Sequence, residues 1–543
     1  MRARARAIYR SSHARVKMLI TVSALAVGGF AGTAGAAPAP KLDFTPAQMQ
    51  LAYEVAPDAG LAAFYGSRDL RPIFTDPSDG SRYRRALIDA VDQAPRHGLP
   101  PARYHADRLS AADAQPTGDQ DELLFAQSLS AWAHDLGGGL ITPSKVDPMI
   151  KREVHRRPLS DVLADFAASA DPAGVLAALA PKDPRYAQLM AALAQSGGGA
   201  APSAGPKVPA VRFRPGDRGP SVSALRERLV NAGFQAGSGS AYDDSLMSAV
   251  AEYQARAGLD VDGIAGGRTI QHLNGGANTA QARAIMMSLE RMRWLAGHDL
   301  NTRMVWVNLP SYTAQIMDGG AEVFSTKVVV GKATDDFATP EFSDQMEYLV
   351  VNPRWNVPRS ITIKEYLPRL KANPNAVSFL DVVDGRGRVI PRSQIDFSKY
   401  TAANFPYRMQ QKPSDDNALG VVKFIFPNPW NIYLHDTPSK GLFNESRRAY
   451  SHGCIRIGRP IDLAHELLRP QTSDPDAMFS RALKSGKETW LHLEPEIPVH
   501  LVYFTLLPDA DGKMRSYADI YGRDTRLWAA MAKAGLASPA AGE

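Results

Sequence analysis

Apolar residues recur at spacings of three and four through Arg84 to Ala94, Glu122 to Leu136 and Leu159 to Leu179, the period of amphipathic helices. From Met304 onward the texture changes. Short runs rich in Val, Ile and Tyr (Met304 to Val307, Tyr312 to Met317, Lys327 to Val330, Glu347 to Val351, Val421 to Phe426, Asn431 to His435) are separated by Gly, Pro and Asn, which predicts a mostly β domain. Two stretches fit neither pattern. Ser196 to Ala210 is rich in Gly, Ala, Ser and Pro and reads as a flexible linker. Lys364 to Asn417 is longer and more polar than a loop within a compact domain, and reads as an inserted subdomain able to cover a site.

Between linker and β region lies a small helical unit, Phe213 to Asn274. Val222, Leu225 and Leu229 form one apolar face, Ala249, Val250 and Tyr253 a second, and a third helix is expected from about Arg268. Its Asp260-x-Asp262-Gly263 segment is not a calcium loop, because Ile264 falls where a third oxygen ligand belongs. The Met and Leu stripe of Ala280 to Leu295 reads as the core side of a connecting helix.

The chain has 543 residues, enough for several domains of the usual ~100–200 residues. With 44% hydrophobic and 22% charged residues it has the composition of folded protein. The net charge of +6 is concentrated at the amino terminus, where Arg2, Arg4, Arg6, Arg10, Arg15 and Lys17 precede an apolar run from Met18 to about Phe30 and the small residues Ala34-Gly35-Ala36. That order is the layout of an export signal, with the mature chain starting near Ala37. The alternative is an uncleaved membrane anchor, since Met18 to Ala37 is about the length needed to span a bilayer. Without the basic segment the chain is near neutral, so no nucleic-acid partner is expected.

One cysteine, Cys454, is present, so no internal disulfide can form. It lies in Ser451-His452-Gly453-Cys454-Ile455-Arg456, nineteen residues after His435. A thiolate is the strongest side-chain nucleophile near neutral pH when an imidazole or a cation supports it. In Ile432-Tyr433-Leu434-His435 the alternation sends Ile432 and Leu434 to one face and Tyr433 and His435 to the other. Cys454 and His435 are thus candidates for nucleophile and base, the backbone carbonyl of Asp436 for orienting the imidazole, and the N–H groups of Gly453 and Cys454 for an oxyanion site. No metal or other cofactor is called for. The bland alternative, a buried cysteine acting as a small hydrophobe, has the flanking residues against it.

Those flanking residues resemble the signature of the YkuD-type L,D-transpeptidases. The likeness runs from Arg303 to about Leu493, through Val329-Val330-Gly331-Lys332, Thr339-Pro340, Phe342, Asn352 to Pro358 and Ile432 to Lys440. Phe213 to Asn274 resembles the peptidoglycan-binding type 1 module in Ala249 to Gln254, Gly258 to Gly263 and Gly266 to Thr269. Together the parts are similar to the large YcbB-like members. The implied fold is multidomain: a YkuD-like β-sandwich with an inserted capping subdomain, an α-helical scaffold and a three-helix module. The implied division is 1–36 signal peptide, 37–195 scaffold, 196–210 linker, 211–275 peptidoglycan-binding module, 276–302 connecting helix, 303–500 catalytic domain with the cap at about 364–417, and 501–543 C-terminal segment.

The resemblance implies a cysteine acyltransferase that joins peptidoglycan tetrapeptide stems, donor and acceptor. Cys454 attacks the bond between diaminopimelate and the terminal D-alanine, D-alanine leaves, and the side-chain amine of another stem completes a 3→3 crosslink. Carried over, His435 is the base, with Ser451, His452, Gly453 and Asp436 in support, while Arg456, Tyr433, Trp355 and Asn356 contact substrate. It further implies a periplasmic, wall-associated location in a Gram-negative bacterium, other cell-wall synthases as partners and acylation by carbapenems. Two alternatives stand beside it: an L,D-carboxypeptidase or crosslink hydrolase using the same dyad, and a non-catalytic wall-binding protein.

Overall fold

The computed structural model describes residues 44–114, 118–196, 207–209, 211–231, 234–257, 261–274, 276–334 and 336–536. The expected export signal lies outside them. Among the described residues no helix is long and apolar enough to cross a membrane.

The N-terminal region is helical where the period of three and four predicts it, with helices Gly80–Asp92 and Asp119–Leu136. The single helical pattern expected over Leu159 to Leu179 is two helices, Leu159–Ala168 and Pro172–Ala177. Pro172 lacks the N–H a continuing helix needs, and the Asp171 carboxylate instead caps the new start through Gly174 N. The small unit has helices Pro220–Asn231, Asp244–Ala257 and Gly267–Leu273. Val222, Leu225, Leu229, Ala249, Val250, Tyr253 and Ile270 share its core. The Gln254 amide pins its loop by donating to Asp262 Oδ1 and accepting from Gly263 N.

The β region supplies the strands β1 (Met304–Asn308), β2 (Thr313–Asp318), β3 (Ala321–Gly331), β4 (Phe342–Val351), β5 (Trp355–Asn356), β6 (Asp381–Val383), β7 (Arg408–Gln411), β8 (Val422–Ile425), β9 (Leu434–His435), β10 (Ala449–Ser451), β11 (Ile455–Ile457) and β12 (Thr489–Val502). Nine of them form one sheet in the order β10-β3-β11-β9-β8-β4-β12-β1-β2, and β2 pairs β3 as well. That second pairing closes the sheet, so the expected mostly β domain takes a barrel-like form. Val305, Val307, Leu349, Val422, Phe424, Leu434, Ile455, Val499 and Leu501 lie in its core and are almost fully buried.

β5, β6 and β7 make a separate three-stranded sheet over a second core that includes Trp355, Leu370, Leu380, Phe397, Phe405 and Met409. This is the inserted subdomain. Its core reaches from Trp355 to Leu419, wider than the polar stretch at 364–417 suggests, because the apolar residues that extend it, Trp355, Val357, Ile361 and Leu419, lie next to the β pattern on either side.

The scaffold is tied to the sheet by buried charges. Arg152 donates to Ser343 Oγ (2.5 Å) and to the Leu501 carbonyl (2.8 Å), and Arg523 of the C-terminal helix bridges Glu341 at 2.8 Å and the scaffold's Asp147 at 3.4 Å.

Candidate active site

β8, β9 and β11 lie side by side, and their registers bring the sequence candidates together. β9 and β11 are parallel, with Leu434 opposite Ile455 and His435 opposite Arg456. β8 is antiparallel to β9, with Phe424 opposite Leu434 and Lys423 opposite His435. Side chains alternate along a strand and opposed residues share a face. Val422, Phe424, Leu434, Ile455 and Ile457 therefore point into the core, where they are fully buried. Lys423, Tyr433, His435, Cys454 and Arg456 occupy the opposite face.

Asp436 fixes the imidazole. Nδ1 of His435 lies 2.5 Å from the Asp436 carbonyl oxygen, and since a carbonyl only accepts, Nδ1 carries the hydrogen and Nε2 is left as proton acceptor. The Asp436 carboxylate is itself held by Val421 N (3.0 Å), Thr437 N (2.6 Å) and the Lys440 ammonium. The carbonyl aimed at His435 is thus braced from both sides.

Burial, then repulsion by Arg456 and Lys423, pulls the His435 pKa down to about 3. The imidazole is neutral at physiological pH. Burial pushes the Cys454 thiol up, while hydrogen bonding from Tyr433 and the charges of Lys423 and Arg456 favour the thiolate. The pair thus rests as thiol and imidazole. The thiol donates to the Asn431 carbonyl at 3.6 Å and keeps partial exposure to solvent. Burial and Cys454 push the Tyr433 phenol well up, so it remains a hydroxyl.

The turn before Cys454 is rigidly pinned. Gly453 has φ +111°, a backbone open to glycine at little cost. Ser451 Oγ accepts from Gly453 N at 3.1 Å and donates to the Cys454 carbonyl at 2.5 Å, while Thr339 Oγ1 donates to the Gly453 carbonyl at 2.8 Å. The Gly453 N–H, expected in an oxyanion site, is therefore already engaged, because the Ser451 hydroxyl folds back over the turn. Cys454 is followed by a short strand, β11, before the expected helix at Pro460–Leu468.

His452 connects this turn to the insert. Its Nε2 lies 2.7 Å from Glu365 Oε1, and its ring packs edge-on against Phe337. Lys364 forms a parallel tie to Asp336 at 2.6 Å. Trp355, expected to line a cleft, is buried in the insert's core instead, and Asn356 Oδ1 accepts from Gln410 at 2.6 Å. Tyr433 packs against that same core, which makes it the residue shared by insert and site. Two residues of this cluster, Lys423 and Glu365, were not singled out in the sequence. Lys423 had a signal in the alternation Val422-Lys423-Phe424, but its facing partner depends on register. Glu365 had none.

Three family models match the chain. Residues 59–193 match a scaffold domain, 218–273 the "Putative peptidoglycan binding domain" and 302–485 the YkuD L,D-transpeptidase catalytic domain. The chain carries a YkuD catalytic domain. A Haemophilus influenzae protein named "Putative L,D-transpeptidase" is 35% identical over 225 residues, covering 41% of this chain and 45% of the relative. The chain thus spans under half the length of that relative.

Solved structures similar to the chain include an L,D-transpeptidase of Xylanimonas cellulosilytica (14% identity, 55% of this chain and 99% of that one, TM-score 0.13). Another is an L,D-transpeptidase of Stackebrandtia nassauensis (12% identity, 55% and 97%, TM-score 0.16). Scores this low do not bear on the fold. The YkuD match ends at residue 485, yet β12, running to Val502, is the strand that joins β4 to β1, so the YkuD sheet of this chain is complete only with it.

Proposed function

We propose that the protein is a peptidoglycan L,D-transpeptidase that forms 3→3 crosslinks through a Cys454 acyl-enzyme. The observation that carries this reading is the shared face of Cys454 and His435, with Nδ1 committed to the Asp436 carbonyl and Nε2 free to accept a proton. The thiol proton passes to Nε2, sulphur attacks the carbonyl carbon before D-alanine, and the leaving amine takes the proton from Nε2. A thioester remains. The side-chain amine of a second stem then attacks it, and Cys454 is released as thiol.

The peptidoglycan-binding match at 218–273 supports wall polymer as substrate and a site of action at the cell wall, reached by export. Transfer rather than hydrolysis is favoured by the insert, which is tied to the Cys454 turn through His452 and Glu365 and can exclude water while an acceptor is held. Incubation with a disaccharide tetrapeptide, read by mass, tests the reading. Dimers linked through diaminopimelate are expected, and tripeptide alone would identify a hydrolase. Carbapenem should add its mass to the wild-type chain and not to Cys454→Ala.

A further inference from the structure

Lys423 is a half-buried cation beside the thiol that no step of the proposed reaction uses. Its ammonium sits 3.7 Å from the centroid of the Tyr433 ring, and no carboxylate forms an ion pair with it among the described residues, Glu488 acting only at longer range. Removing an ammonium from water costs several kcal/mol unless a partner compensates it. What this position offers is the π face of Tyr433 and the sulphur of Cys454. Arg456, on the other flank, is likewise without an ion pair, and its buried Nε has no hydrogen-bond partner. Two cations thus border one sulphur, and neither is neutralised by an acid.

We infer that Lys423 is a positioning residue whose ammonium, stacked on Tyr433 and facing His435, compensates the charge of the Cys454 thiolate. The step it assists is a proton transfer: the S–H bond of Cys454 breaks, an N–H bond forms at His435 Nε2, and the electron pair stays on sulphur. The groups around the sulphur divide by strand. Lys423 comes from β8, Tyr433 and His435 come from β9 and its lead-in, Arg456 comes from β11, and His452, engaged by Glu365, comes from the turn. Lys423 disfavours imidazolium as well as favouring thiolate. Proton transfer to His435 is therefore transient, and the imidazolium is primed to return its proton to a leaving amine.

The inference rests on Cys454 as nucleophile, but its test needs no peptidoglycan. Because Cys454 is the only cysteine, alkylation of the folded mature chain by iodoacetamide reports this thiol alone. Rates are measured against pH for wild type, Lys423→Met and Lys423→Arg, with circular dichroism confirming the fold. Lys423→Met should move the profile to higher pH, slowing alkylation about tenfold at a fixed pH below the midpoint, the effect of one charge at a few ångströms in a partly buried site. Lys423→Arg should restore most of the rate. A Lys423→Met profile that superimposes on wild type overturns the inference, as does an equal displacement by Met and Arg, which would mark packing rather than charge. Should the Met variant not fold, Lys423→Gln is read in the same way.

Discussion

Lys423 and His435 stand directly opposite one another in the β8–β9 ladder, a cation registered against the imidazole it helps keep neutral. That relationship sets the acid side of the pH profile. With the His435 pKa at about 3, the imidazole is ready to accept a proton throughout the neutral range. Acylation by a tetrapeptide donor, followed by intact mass without acceptor, should show no loss centred near pH 6.5 on going from pH 8 to 5. A limb at 6.5 would mean that His435 titrates as a solvated imidazole.

His435→Gln should leave Cys454 alkylatable while slowing donor acylation by about 10²–10⁴, the usual worth of a positioned base. Cys454→Ala should abolish acylation. Equal acylation by His435→Gln and wild type would remove the histidine from the mechanism.

Gly420 protects the Asp436 brace. It has φ +59°, and a methyl there would lie 2.2 Å from Asp436 Oδ2. Gly420→Ala should displace the carboxylate from Val421 N and Thr437 N, costing about 1–3 kcal/mol for the unpaired buried donors. The same shift should lower acylation by unseating the carbonyl that holds Nδ1. Urea unfolding and acylation rate together check this, and a variant normal in both would show the brace to be dispensable.

The two ties between insert and turn should differ in weight. Lys364–Asp336 is exposed, and such pairs are worth at most ~1 kcal/mol, so Lys364→Ala should change little. Glu365→Ala removes the partner of His452 and should raise the share of tripeptide over crosslinked dimer, with faster proteolysis inside 355–419. An unchanged product ratio would separate the insert from water exclusion.

Acid should weaken the fold before it reaches the carboxylates. Burial holds His97 and His298 down to about 4, His435 to about 3 and His500 well below its usual value, whereas all four titrate near 6.5 when unfolded. Between pH 6.5 and 4 the unfolded chain binds more protons than the native one, so stability present above 6.5 is lost as pH falls. The melting temperature should decline steadily from pH 7 to 4.5. The rings of His298 and His500 meet edge-to-face at 5.0 Å beside Arg152, which places their share of this sensitivity where the scaffold meets the sheet. A flat profile over that range would contradict the assignment.

Much of the candidate site was legible because strand alternation is local. Ile432 and Leu434 went to the core and Tyr433 and His435 to the other face on a two-residue period alone, and the carbonyl of Asp436 lay within reach of His435 by adjacency. Trp355 was misjudged for a related reason. Its strand is only Trp355-Asn356, too short to show a period, and nothing in its neighbours says that it belongs to a second core.

The residues of the sequence thus determined by themselves which groups could carry acyl transfer, a single thiol on a glycine turn with a histidine upstream, and which stretches were helix, strand and insert. These follow from residue chemistry and from periods of two and 3.6, which act within a few positions. Only the tertiary structure decided what surrounds the sulphur. Lys423 faces His435 through the register of two strands, Glu365 meets His452 across 87 residues, and the Gly453 N–H is taken by the Ser451 hydroxyl. Register is set by how whole strands bury their apolar faces against one another, so the cross-strand neighbours of a residue are a property of the packed sheet and not of the segment that contains it.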